Sequence, residues 1–341
     1  MSNTMSTPLS SLSSTPAAAF SAKSWFVKLG ILPFLLAASI LYFAGSEPRF
    51  LSGDNLFNVA RQSTFLIIVA MGQMIVIVTA GLDLSAGSII GFSGVVAALA
   101  LNQVLGTSPE AIWLSIAAAV GAGLCAGLLV GAINGFGVSV LGVPPFMMTL
   151  GTMTSLIGVT LSLTNGLPVT GVPDEFMRLL GYGRVLGMTP PILITIGLFV
   201  LVFVLLNRTT TGRYFYAVGS NARAAQLSGI STRKHVFLAY LFAGLLAAVA
   251  GVLFVARTGS AEAMNGQPYT LQAIAACVIG GVSLFGGMGR VRDVLLGALF
   301  ITILTNGMNL VRVESYVQQI VLGAVLIVSL VADQLRLKWL T

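Results

Sequence analysis

For about two dozen residues on either side of Asp83 the chain carries almost no charge, and 78-VTAGLDLSAGSIIGF-92 sits between two long apolar runs. Such runs recur along the chain, many of them long enough to cross a hydrocarbon core about 30 Å thick, which takes roughly 17–25 helical residues. Of the 341 residues 56% are hydrophobic and 8% are charged, whereas a soluble domain carries about 25% charged residues. The chain therefore lacks the polar surface to face water on all sides. Backbone groups cannot stay unpaired in lipid, so the spans are helices or a closed barrel. The runs are continuous rather than alternating, which selects helices. The expected fold class is an all-α membrane protein.

Pro, Gly and charge punctuation divides the runs into about ten transmembrane helices, near 29–45, 57–80, 85–104, 111–136, 145–164, 190–206, 235–256, 270–285, 292–311 and 315–332. Residues 1–24 are rich in Ser, Thr and Ala without an apolar run, which predicts a disordered tail. The transmembrane domain is expected over 25–341. The length of that tail and the many later spans favour an uncleaved first helix over a signal peptide. With both termini inside, eleven Lys and Arg fall in inner segments and six in outer ones. The positive-inside rule supports that orientation, with the 1–24 tail cytoplasmic. The net charge of +7 is then topological and calls for no nucleic-acid partner. Cys125 and Cys277 lie inside apolar runs without CxxC spacing and read as small packing residues. Gly121, Gly123, Gly127 and Gly131 read as close helix packing.

An internal echo pairs 80-AGLDLSAG-87 with 280-GGVSLFGG-287 at an offset of 200, with Gly81, Leu84 and Gly87 on Gly281, Leu284 and Gly287. Transporters often carry internal repeats whose interrupted helices meet near the pathway. The expectation is an internal repeat with broken or re-entrant segments at 78–94 and 278–290.

Residues 207–234 form the longest basic interval and, on this orientation, the largest cytoplasmic loop. Inside it 219-GSNARAAQLSGI-230 predicts a short helix, with Asn221 as N-cap and Gly229 at the left-handed position past the C-terminus. About two turns are too short to persist alone. Either the flanking helix ends or a partner protein must pack on them.

No Lys follows a Gly, so no Walker A loop is present, and ATP used for transport must be hydrolysed by another subunit. His235, the one histidine, stands beside Arg233 and Lys234 with neither a second His nor a carboxylate nearby. It supports neither a metal site nor acid–base work. No cofactor is expected on this chain, no metal site, and no catalytic residue. An ion-gradient transporter would carry intramembrane carboxylates or basic residues, and only Asp83 comes close; a membrane-embedded enzyme would need a catalytic set that does not assemble.

The segments 72-GQMIVIVTAGLDLSAGS-88, 134-NGFGVSVLGVPPFMMTLGTMT-154, 212-GRYFYAVGSNARAAQLSGI-230 and 278-VIGGVSLFGGMG-289 closely resemble the permease subunits of bacterial ribose-type ABC importers. The resemblance runs from about residue 50 to the C-terminus. It implies import of a monosaccharide across the inner membrane by two permease subunits, as a homodimer or heterodimer. Two ABC ATPase subunits would bind below them, and an extracytoplasmic sugar-binding protein would deliver the substrate. Relatives of this family carry autoinducer-2, nucleosides or other small polar solutes, which are the alternatives. The short loop helix corresponds to the family's coupling helix, so Gly219, Asn221, Ala222, Ala224, Ala225, Leu227, Ser228 and Gly229 are expected at the ATPase contact. This chain departs from the family at 266-GQPYTLQAIAA-276, where Thr270 and Gln272 replace an acidic pair, and at Val291-Arg292-Asp293 after GGMG.

An ionised carboxylate facing lipid at mid-membrane costs about 2.5–3.5 kcal/mol. Asp83 is therefore expected at the start of the third span, where Asp83 and Ser85 can cap the helix, with Gly87 completing a turn that serves as cap or hinge. Candidate sugar-path residues are the amides and hydroxyls in or near spans: Gln73, Asn134, Thr149, Thr152, Asn306 and Asn309. Most such groups simply hydrogen-bond between helices.

Overall fold

The computed structural model describes residues 31–340, with side chains through Val331. The tail expected at 1–24 lies outside the described residues. In chain order the helices are α1 (Leu32–Ser46), α2 (Gly53–Val78), α3 (Ala86–Thr107), α4 (Ile112–Ser139), α5 (Pro145–Thr164) and α6 (Asp174–Met177), the last continued by a π-turn at Arg178–Tyr182. They continue with α7 (Pro190–Arg208), α8 (Thr210–Ser220), α9 (Ala222–Leu227), α10 (Thr232–Thr258), α11 (Gln267–Ile279), α12 (Val291–Leu310) and α13 (Ser315–Leu340). A helix lies at each of the ten expected positions, though not all are long enough to cross a membrane. Among the described residues seven helices are long and apolar enough to cross a membrane, and α1 and α13 add shorter apolar stretches. The segments α6 and α8 were not expected.

Local chemistry sets the boundaries. Prolines stand in the first turn of α1, α5, α7 and α11, where a missing N–H leaves no bond unmade. Side-chain oxygens of Ser52, Thr209 and Ser231 accept backbone N–H groups at the starts of α2, α8 and α10. From Ser63 to Val78 every residue of α2 is buried. A helix apolar on all sides belongs at a bundle centre, and α2 packs there against α10, α11 and α12. In its most apolar window 89% of α2 is buried, against 11% of α5, so α5 is the least covered of those seven helices.

The most extensive helix–helix contact is that of α4 with α10. A Cβ added at Gly131 would lie 2.6 Å from the Tyr240 carbonyl oxygen, and one at Gly244 would lie 2.8 Å from the Gly131 Cα. Lipid gives helices no hydrophobic reason to associate, so small residues that let backbones approach do this work. Gly123 and Gly127 share the same face. Gly121, expected with them, meets open space instead, because two residues turn the helix by about 200°.

Two helices stop inside the bundle in the same way. At the end of α2, Gly81 N–H donates to Val76 O (3.0 Å) and Ala80 N–H to Ile77 O (2.8 Å), with Ala80 left-handed at φ 61°. At the end of α11, Val282 N–H donates to Cys277 O (2.9 Å) and Gly281 N–H to Val278 O (2.8 Å), with Gly281 at φ 80°. Both are Schellman caps. Their register differs from the sequence echo by one residue: the echo pairs Gly81 with Gly281, whereas the backbone pairs Ala80 with Gly281. The run expected as 270–285 ends at Ile279 for this reason, and the 13 residues of α11 span about 20 Å, short of a full crossing.

Candidate functional site

The first break, residues 79–85, is non-helical backbone within a low-dielectric bundle, and each of its polar groups needs a partner. Side chains from four helices supply them. The Leu82 carbonyl accepts the hydroxyls of Tyr240 (3.3 Å) and Thr149 (3.3 Å). The Gln73 carboxamide brackets Asp83, donating to its carbonyl (3.0 Å) and accepting its N–H (3.2 Å). The Asp83 carboxylate is 1% exposed, and its Oδ1 accepts the Ser85 N–H (2.8 Å) and hydroxyl (2.6 Å). Ser85 Oγ accepts from Asn134 Nδ2 (2.8 Å), and Asn134 Oδ1 accepts from the Thr152 hydroxyl (2.7 Å). One chain of bonds thus ties the break to α2, α4, α5 and α10.

This arrangement corrects the capping expectation. Neither Asp83 nor Ser85 caps α3, because Asp83 spends its oxygen on Ser85. The N–H of Gly87 in the first turn of α3 is met instead by Thr270 Oγ1 of α11, 2.8 Å away. The uncharged Thr270 thus acts as a cap supplied from another helix, a role invisible in the local sequence.

Of the six polar residues expected on a solute path, Gln73, Asn134, Thr149 and Thr152 gather around Asp83. Asn306 forms a reciprocal amide pair with Asn55 of α2, both bonds 3.0 Å. Asn309 is exposed and accepts from Gln318 (2.7 Å). A polar face that was not singled out lies on the uncovered side of α5: Gly151, Thr154, Ser155, Gly158 and Ser162 are exposed along one stripe. Its signal in the sequence was the helical spacing of small and hydroxyl residues within an otherwise apolar run.

The second feature is the segment after α7. The helix α8 buries Gly212, Phe215, Val218 and Gly219. Its Tyr216 hydroxyl donates to the Gly289 carbonyl at 2.9 Å. Burial pushes the Tyr216 phenol up, against a smaller pull from the Arg290 charge, so it remains a donor. Next comes α9, shaped by both predicted ends. Asn221 Oδ1 accepts the Ala224 N–H (2.9 Å), and Gly229 is left-handed at φ 81°, with the Ile230 N–H bonded to Ala225 O (3.0 Å). Flanking structure holds it: Ala225 is buried, and Gln226 Nε2 donates to Thr232 Oγ1 (2.8 Å). That answers what packs on two isolated turns. Ala222, Ala224 and Ser228 stay exposed, and Leu227 is 86% exposed. Of the three alanines expected at the ATPase contact, Ala222 and Ala224 are exposed and Ala225 is not.

A packed bundle of apolar helices holds a backbone break on buried polar groups and presents a small capped helix beside it. The class it defines is the membrane subunit of a transporter. Residues 55–330 match the family described as branched-chain amino acid transport system / permease component, and the chain belongs to that family. It is 40% identical over 314 residues to the ribose import permease protein RbsC of Escherichia coli, covering 91% of this chain and 95% of that one. It is 35% identical to the D-allose transport system permease protein AlsC of the same organism, covering 89% and 91%. Identity to the galactose/methyl galactoside import permease protein MglC, also from Escherichia coli, is 34%, covering 91% and 95%. No solved structure matches the chain.

Proposed function

We propose that this chain is the membrane-spanning subunit of an ATP-driven importer that carries a monosaccharide across the bacterial inner membrane. Residues 25–341 form its permease domain, residues 1–24 a cytoplasmic tail, and both termini lie in the cytoplasm. It pairs with a second permease subunit, takes sugar from an extracytoplasmic binding protein, and has no cofactor of its own. Two ABC ATPase subunits hydrolyse ATP below it. The names of the relatives, which import ribose, allose and galactose, support the substrate class.

The observation that carries the coupling role is α9 itself. It is capped at both ends, anchored by Ala225, and turns Ala224 and an 86% exposed Leu227 away from the bundle. An exposed apolar side chain on a rigid two-turn helix is a docking feature. The residues Gly219, Asn221, Ala222, Ser228 and Gly229 shape and orient that surface. For the sugar we favour the open face of α5, with Thr154, Ser155 and Ser162 offering hydroxyls, because Gln73, Asn134, Thr149 and Thr152 are engaged by the break.

Sided labelling tests this reading. In a Cys125→Ala background, buried Cys277 stays unreactive. The Leu227→Cys variant is expected to react with a membrane-impermeant maleimide in inside-out vesicles stripped of ATPase subunits and not in right-side-out cells. Rebinding the ATPase subunits should block the reaction. Labelling from the outer side, or full labelling with the ATPase bound, contradicts the assignment.

A further inference from the structure

The two breaks are far apart in sequence, yet they meet at one point, and α8 ends there. The Gly287 N–H, in the loop after α11, donates to the Val78 carbonyl at the end of α2 (2.9 Å). A Cβ at Gly286 would lie 2.8 Å from both the Ala80 Cβ and the Gly219 carbonyl oxygen. At Gly219 a Cβ would run into that same Val78 carbonyl and stand 2.8 Å from the Gly287 nitrogen. The last turn of α8 is therefore in backbone contact with both interrupted segments at once. One turn earlier, the Tyr216 hydroxyl holds the far end of the second loop at Gly289 (2.9 Å). That loop is itself closed by Ser283 N–H on Met288 O (3.1 Å), so a pull at Gly289 moves it as a unit. Beside these contacts an open cavity of about 360 Å³, lined by Thr79, Ser139, Asn221 and Arg233 among others, separates the start of α9 from the first break. Displacement of α9 reaches the bundle through α8 and through its Gln226 bond to Thr232 of α10, not through direct packing of α9 on the hinge.

We propose that α8 is a clamp that makes the two interrupted segments one moving part, with Tyr216 and Gly219 as its positioning residues. This rests on the reading of α9 as the ATPase contact and adds where the motion goes. A push on α9 divides at Gly219, one branch entering α2 and α3 through Val78–Ala80, the other entering α11 and α12 through Gly286–Gly289. Both halves of the bundle then change together on each ATP cycle.

The test uses the whole complex purified with its ATPase subunits, reconstituted with its binding protein and supplied with D-ribose, D-allose and D-galactose in turn. Tyr216→Phe removes one hydroxyl and leaves the ring in place. We expect the complex to assemble with its thermal midpoint lowered by no more than a few degrees, and the sugar transported per ATP to fall about fivefold, the ratio that one ordinary hydrogen bond can hold. Hydrogen exchange gives the second readout. In the wild type, residues 79–84 and 282–289 change protection together on trapping with ATP and vanadate. In Tyr216→Phe only 79–84 is expected to respond. Gly219→Ala should break the coupling of both segments; if it does not assemble, Tyr216→Phe decides alone. A transport ratio within twofold of wild type, with both segments still responding together in the assembled variants, overturns the clamp. If neither segment responds in the wild type, the ATPase-contact reading falls, and the clamp with it.

Discussion

Replacing Ala224 with tryptophan abolishes sugar-stimulated ATP hydrolysis while the membrane bundle stays folded. Ala224 is exposed on α9, so a larger side chain there projects from the surface of its own chain. Its neighbour Ala225 is 5% exposed and would report on internal packing instead. An indole in a close-fitting interface costs about 1–3 kcal/mol, enough to lower affinity by roughly fivefold to over a hundredfold. Stimulated hydrolysis and uptake are expected to fall by at least about fivefold, with elution position and thermal midpoint of the permease unchanged. Full retention of both activities removes α9 from the coupling path.

The second large effect is on the break. Gln73→Leu keeps the size and deletes both bonds to Asp83, leaving a buried N–H and a buried carbonyl without partners. Each such group costs about 1–3 kcal/mol, so roughly 2–6 kcal/mol of stability is at stake. The folded, monodisperse fraction after detergent extraction should collapse, and the thermal midpoint should drop by many degrees. Asn309→Leu deletes an amide of similar kind at an exposed position and should change stability by under about 0.5 kcal/mol. Equal behaviour of the two variants would show that Gln73 does not hold the break.

Much of the architecture was legible because bilayer-spanning helices announce themselves through apolar length, and their ends through Pro, Gly and Ser. The α9 helix was readable to the residue, since Asn221 and Gly229 are local signals with local causes. The α8 helix was not: its apolar side consists of Phe215, Val218 and two glycines among Thr, Arg and Tyr, and a short basic stretch reads as loop. The glycine echo lay one residue out of register with the two helix stops, because glycine matches mark where a turn is permitted while the backbone sets which residue turns. Here Ala80 takes the left-handed position after α2 that Gly281 takes after α11. At Asp83 the sequence suggested a cap and the fold uses Thr270, 183 residues from the amide it serves. Pairings such as Gln73 with Asp83 and Asn134 with Ser85 depend on which helices become neighbours, and residue types alone do not encode that.

Reconstitution shows directly where the energy for transport enters. Purified permease, alone or with its copurifying ATPase and binding protein, is reconstituted into vesicles, and uptake of labelled D-ribose, D-allose and D-galactose is followed with and without ATP. Concentrative uptake of at least one of these sugars only in the complete, ATP-supplied system is the predicted result. Concentrative uptake by the permease alone, driven by an ion gradient and indifferent to ATP, would contradict it.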